Sequence, residues 1–296
     1  MTIISDRLST FFLLLSLAGC TTIRPLPFSE SPPTPDPIFS HELFDRVLQR
    51  AVDADGRVHY AALRDSSADL ERYYHLLAAY SPDTHAGLFP TTEHRLAYWI
   101  NAYNAAALKA VLRHYPIASV MDVKTPALLF FLPDGSGFFA LQRLLFGGAA
   151  ISLYDLENDV VRPRFSEPRI HFVLNCASVG CPRLPQRAFS AANLEAELER
   201  ETRKFLGEVR NFCLDHAEKT ISLSSIFKWY EEDYLNWYRE KFPAEEATLL
   251  KYVQHYLPPA RAAELRSSKA TYHVQFTPYD WRLNDQSPPA PRRDAR

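Results

Sequence analysis

Apolar residues recur at helical spacing in several long stretches of the chain and at alternate positions in several short ones. In Glu42–Val52, Leu43, Val47 and Leu48 share one face, and Ser40 can cap the first turn. The spacing predicts a second helix over Ala68–Tyr80. The strongest signal is Glu93–His114, EHRLAYWINAYNAAALKAVLRH, capped by Thr91 or Thr92 and stopped by Pro116. Ala97, Asn101, Asn104 and Leu108 fall on one face of it, surrounded by Trp99, Ile100, Tyr103, Ala107 and Val111. A helix apolar nearly all round is an interior helix.

Shorter elements follow the same logic. Val52–Val58 reads as a tight turn with Gly56 at positive φ. Residues 130–141, FFLPDGSGFFAL, read as a hairpin around Asp134–Gly137. Ser152 caps a short helix, SLYDLENDVV, and Arg169–Asn175 reads as a strand. Ser190 caps a helix through Phe205. Short strands are expected near Val209–Leu214 and Lys219–Leu223, helices over Ser225–Lys241 and Ala244–Tyr256, and a last strand over Tyr272–Phe276. Helices and short strands mixed irregularly predict an α+β domain, with helices packed on a small mixed or antiparallel sheet. One domain is expected, over residues 39–284.

The ends change the picture of where that domain sits. Arg7 precedes the apolar run Phe11–Ala18, which is too short to span a bilayer and fits a secretory signal. Leu17-Ala18-Gly19-Cys20 resembles the lipobox of bacterial lipoproteins. The resemblance implies a signal peptide over 1–19 and a lipidated Cys20 that tethers the chain to a bilayer. Thr21 in place of aspartate resembles the pattern of lipoproteins sent to the outer membrane, here its periplasmic face, with secretion or the inner membrane as the alternatives. The proline-rich residues 20–38 read as an extended tether and 285–296 as a disordered tail. With 47% hydrophobic residues the chain is not a disordered protein, and a net charge of −2 gives no reason to expect nucleic acid as a partner.

Candidate chemistry gathers in residues 170–182, IHFVLNCASVGCP. Of the chain's 4 cysteines, Cys20 leaves the count if lipidated, so Cys176, Cys181 and Cys213 can form at most one disulfide. Three readings of the pair stay open: a Cys176–Cys181 clip, inert packing, or a nucleophilic Cys176 with His171 as its base. One His and two Cys at this spacing do not make a metal site, and no cofactor is indicated. Strand alternation would put His171, Val173 and Asn175 on one face and Phe172, Leu174 and Cys176 on the other, which separates imidazole from thiol. Arg162, Arg164, Arg169, Arg183 and Arg187 flank the stretch. They read either as an anion pocket around His171 or as internal ion pairs with acids such as Asp155 and Glu157. Asn101 and Asn104 read either as ties to neighbouring loops or as groups facing a site. The acids Glu231, Glu232 and Asp233 read as a solvated face, and Asp280 as a partner for a core arginine.

Several motifs line up with these positions: Asp55–Tyr60, Tyr98–Ala105, Ser152–Glu157, Pro168–Phe172, Cys176–Ser178, Cys181-Pro182, Ser224–Tyr234 and Tyr279–Asn284. Together they resemble the domain-of-unknown-function 547 family over about Phe39 to Asn284. Where that family usually carries histidine after the Asp-Leu/Ile-Glu triplet, this chain has Asn158. The resemblance implies a bacterial envelope protein and no established reaction. A buried helix followed by a His-bearing strand is also similar to the transglutaminase-like and papain-like cysteine hydrolase core, although asparagines stand where that core carries its cysteine. Two functions are expected from these readings. One is an envelope lipoprotein binding an anionic or peptide ligand in a cleft near Asn101, Asn104, Arg162, Arg169, His171 and Asn175. The other is a thiol-dependent hydrolase or acyl transferase with Cys176 as nucleophile and His171 as base.

Overall fold

The computed structural model describes residues 21–26, 37–268 and 272–287. Cys20, the signal segment 1–19 and the tail beyond Ser287 lie outside the described residues. The described chain runs β1 (Thr21–Ile23), α1 (Glu42–Ala51), α2 (Tyr60–Asp65), α3 (Ala68–Ala79), α4 (Thr92–His114), α5 (Ser136–Phe139), β2 (Gln142–Phe146) and β3 (Ala149–Ser152). Next come α6 (Leu153–Asp155), a π-helical segment (Leu156–Val161), α7 (Arg162–Phe165) and a 3-10 turn (Pro168–Phe172). The rest is α8 (Leu194–Gly207), β4 (Phe212–Asp215), β5 (Thr220–Ser224), α9 (Ser225–Trp229), α10 (Glu231–Lys241), α11 (Leu249–Tyr256), α12 (Pro259–Ser268) and β6 (His273–Thr277). The fold is α+β. Its two small sheets, β1-β2-β3 and β4-β5-β6, each join one parallel to one antiparallel pair.

α4 is the axis of the larger core. Every residue from Leu96 to Val111 is buried, as a surface apolar nearly all round requires, and Thr91 caps it by accepting from the His94 amide. A second core gathers around Phe172, Phe205, Phe227, Tyr234 and Tyr252, between the second sheet and α8–α11.

Three local expectations are corrected. Arg169–Asn175 is not a strand. Glu167 accepts from the Arg169 amide, and Pro168 occupies the first helical position, where its missing N–H costs nothing, so the chain enters a 3-10 turn. Residues 130–141 contain the short helix α5 and no hairpin; the hairpin is β2–β3, turning on Gly147 and Gly148, which both take positive φ. The helix expected over Ser225–Lys241 breaks at Tyr230 into α9 and α10.

Both ends of the described chain are stitched into the fold. Thr21–Ile23 pairs in parallel with Gln142–Leu144, and the Tyr74 hydroxyl donates to the Ile23 carbonyl, so the segment read as a tether is docked at its start. At the other end, residues 277–287 form a strap. Its backbone bonds Val179 to Arg282 and Gly180 to Asp280. Asn284 accepts from the Tyr60 hydroxyl, and buried Asp285 accepts from Tyr115. Gly180 is required for this approach, because a Cβ there would lie 2.9 Å from the Asp280 nitrogen and from the Tyr279 ring.

Candidate functional site: an aromatic cleft around His171

A 3-10 helix turns once per three residues, so neighbouring side chains diverge by about 120°. That geometry sends consecutive residues of 170–173 to different places. Ile170 and Val173 join the α4 core, Phe172 joins the second core, and His171 reaches a cleft between them. The cleft has a volume of about 590 Å³. Its polar floor is Glu157, Asn158, Arg162 and His171, and its walls include Tyr103, Phe139, Tyr154, Trp229, Tyr230, Tyr279 and Trp281.

The floor is a connected charge network. His171 Nε2 lies 2.7 Å from Asp233 Oδ2, and its Nδ1 lies 3.7 Å from Glu157 Oε1. Arg162 donates to both Asp233 oxygens, at 2.7 and 2.9 Å, in a bidentate pair, and to Asn158 Oδ1 at 2.6 Å. The imidazole stacks on the Tyr230 ring, with centroids 3.7 Å apart and planes 16° off parallel, and the Arg162 guanidinium lies 5.1 Å from the same ring's centroid. Burial opposes charge on Asp233, but the hydrogen bonds from His171 and Arg162 outweigh it and hold the carboxyl well below the usual carboxylate range. Burial, reinforced by the Glu157 carboxylate beside them, raises the Tyr103, Tyr230 and Tyr279 hydroxyls well above the ordinary tyrosine range, so all three are neutral donors.

The π-helical segment makes this floor possible. Its wider turn brings Glu157, Asn158 and Arg162 to one side, where regular α-helical spacing would spread them further round the axis. Ser152 starts the segment by accepting from the Asp155 amide, as its cap position predicted.

Cys176 and Cys181 are bridged, with Cα atoms 6.2 Å apart, and the bridge forms part of the cleft wall. The Tyr279 hydroxyl lies 3.1 Å from Cys176 Sγ and 3.0 Å from Cys181 Sγ, fixing the strap to the bridge. Cys213 is the remaining thiol among the described residues and is half-buried on β4. Tyr279, Trp281 and Trp229 pack ring on ring, with centroids 4.4 to 5.9 Å apart, at the cleft mouth.

The other candidate residues lie elsewhere. Asn101 holds the Phe189 backbone from both sides: Nδ2 donates to the carbonyl at 2.8 Å and Oδ1 accepts the amide at 3.0 Å. Asn104 bridges the Val173 carbonyl and the Asn175 amide in the same way. Asn175 donates to the Pro182 carbonyl and accepts from the Ala177 amide. All three amides are buried ties, and none lines the cleft around His171. Arg169 is buried away from the cleft between Glu167 and Glu195. Arg164 pairs with Asp83 and Arg183 with Glu208, so neither faces His171. Asp280 pairs with exposed Arg282 on its own segment, in place of a core arginine.

Reading the sequence alone missed Asp233 and the aromatic wall. Asp233 stands among consecutive acids, where a solvated face is the usual outcome, and only the break at Tyr230 turns it inward. The Glu167-Pro168 pair was the legible sign that a helical turn begins just before His171. Among the described residues no group of three or more His, Cys, Asp or Glu side chains is placed to hold a metal ion.

The family described as "Protein of unknown function, DUF547" matches residues 89–206. This stretch spans α4, the first sheet's hairpin, the π-helical segment, the 3-10 turn, the disulfide and α8. The match supports the family expected from the motifs and carries no reaction with it. No curated protein and no solved structure matches the chain. Among the described residues no helix is long and apolar enough to cross a membrane.

Proposed function

We propose that this chain is a lipid-anchored protein of the bacterial cell envelope, held on the periplasmic face of the outer membrane through Cys20, and that it binds a peptide segment in the cleft over His171. One observation carries the reading of the ligand: an aromatic-walled cleft closes over a floor whose charges are already paired. Arg162 is the one permanent cation among the lining residues; the two Asp233 oxygens take its Nε and Nη2, and Asn158 takes its Nη1. An anion entering the cleft would meet Glu157 and find no free donor fork. An apolar or aromatic side chain would stack on Trp229, Tyr279 and Trp281, while Asn158 and the tyrosine hydroxyls serve its backbone.

The test is a titration of the protein's tryptophan emission with N-acetyl-phenylalanyl-alanine amide as probe, and with inorganic phosphate alongside. Saturable quenching by the peptide, weakened at least tenfold in W281A and unaffected by phosphate, is the expected result. Phosphate binding that displaces the peptide, or no saturation by the peptide at millimolar concentration, would refute it.

A second reading rests on one observation: Cys176 and His171 line the same cleft, which the 3-10 turn brings about despite the strand alternation that would have separated them. The disulfide leaves neither sulfur as a thiolate, and His171 Nε2 is engaged with Asp233, so binding is the better-supported function. Alkylation after mild reduction discriminates the two. A Cys176 that reacts fast at neutral pH, and slows in H171N, would favour the thiol enzyme.

A further inference from the structure

The segment Pro126–Pro133, PALLFFLP, carries no charged residue. Within it Leu129 is buried and pins the loop, while Leu128, Phe130 and Phe131 point outward, 76%, 86% and 58% exposed. Three large apolar side chains within four residues, all bared to solvent, are not the scattered single exposures of an ordinary surface. Lys124 and Asp134 bracket the segment.

Its position relative to the start of the described chain says what would cover it. The Thr21 amide donates to the Leu141 carbonyl at 2.9 Å, the Leu141 amide to Ser136 at 2.9 Å, and the Ser136 amide and hydroxyl both to Pro133. Three hydrogen-bonded steps therefore connect the residue after Cys20 to the edge of the apolar loop. A lipid on Cys20 would leave the fold beside this loop, with no free linker between them.

We infer that Leu128, Phe130 and Phe131 insert into the bilayer leaflet that holds the Cys20 lipid, forming a second, non-covalent contact beside the anchor. The inference deepens the anchoring part of the proposed function and rests on it for the choice of occupant. A protein partner would equally cover apolar rings, but a bilayer explains why the patch lies at the chain's point of attachment and why no charge interrupts it. Pro133 and Phe139 belong both to this neighbourhood and to the cleft lining, so the docked domain holds the cleft close to the headgroups.

The experiment uses the purified full-length protein reconstituted in phosphatidylethanolamine–phosphatidylglycerol vesicles, with F131W as reporter and F130W as a second. Brominated acyl chains quench only indoles that enter the hydrocarbon. The expected result is a blue-shifted added emission in either variant, quenched at least twofold more than the wild-type protein's own tryptophans. Equal quenching of variant and wild type would overturn the inference. So would a blue shift that follows protein concentration and ignores bromination, which would mark contact with a second copy. Mass spectrometry of the same preparation reads Cys20 separately. Lipid without extra quenching refutes the patch and keeps the anchor, whereas quenching without lipid keeps the patch and refutes the anchor.

Discussion

Replacing Asn104 with alanine removes one amide that serves two backbone groups at once. Its Nδ2 donates to the Val173 carbonyl at 3.0 Å and its Oδ1 accepts from the Asn175 amide at 2.8 Å. Val173 and Asn175 are both buried, so the substitution strands a donor and an acceptor away from solvent. Each orphaned group costs on the order of 1–3 kcal/mol, so about 3 kcal/mol is expected for the pair. For a domain of this size that lowers Tm by about 6–12 °C. Calorimetry and urea unfolding would both read the change. Asn104→Asp sharpens the test: it keeps an acceptor for the Asn175 amide but sets a carboxylate against the Val173 carbonyl. Asn104→Asp should therefore be at least as destabilised at neutral pH and should recover in part on mild acidification, as the new carboxyl takes a proton. A loss below about 0.5 kcal/mol in Asn104→Ala would refute the bridging account. So would an Asn104→Asp variant whose stability does not change with pH.

Asp233→Asn should cost about 2 kcal/mol at pH 7, discounted for the partial exposure of the pair, since Arg162 and His171 lose their charged acceptor. The sign follows from a folded-state carboxyl held below its ordinary value of 3.8. Its contribution is full above that pH and fades as pH falls below it, so the gap between wild type and Asp233→Asn in denaturant titrations should narrow only in acid. The double variant Cys176→Ser/Cys181→Ser should lose about 2 kcal/mol, the loop-closure value for a five-residue separation, and a reductant should lower the wild-type protein's stability similarly. Gly56→Ala should cost about 2–3 kcal/mol by urea unfolding, because Gly56 has φ +74° and an added Cβ would sit 2.6 Å from Arg183 Cβ.

The parts of the fold set by local chemistry could be read directly. α4 carries its own cap at Thr91 and a surface apolar nearly all round, so its extent and burial follow from the chain. The Gly56 turn is equally local, with Asp53 accepting from the Asp55 and Arg57 amides. The cleft was legible only in part. His171 and Cys176 were singled out, but a short apolar run such as IHFVL fits a strand or a buried turn equally well by period. The Glu167-Pro168 start decides for the turn, and with it His171 changes neighbours. Asp233 stands 62 positions away from His171 and depends on a helix break at Tyr230, and Trp229, Tyr279 and Trp281 meet only through the strap. Partners separated by that much chain leave no periodic trace. The two asparagines show the opposite failure. Their helical spacing was visible, but whether a buried amide meets a loop or a ligand depends on elements distant in sequence.

The strap over 277–287 has a consequence for how the molecule comes into being. Tyr60 waits for a partner 224 positions later, Tyr115 for one 170 later, and Ser119 for the Trp281 carbonyl 162 later. A growing polypeptide cannot make these contacts until almost all of it has been synthesised and, in an exported protein, delivered across the membrane. Until then the larger core lacks its last seam and the cleft lacks one wall. A prematurely terminated chain would thus carry the whole of the α4 helix and the disulfide loop, yet offer no ligand a complete place to sit.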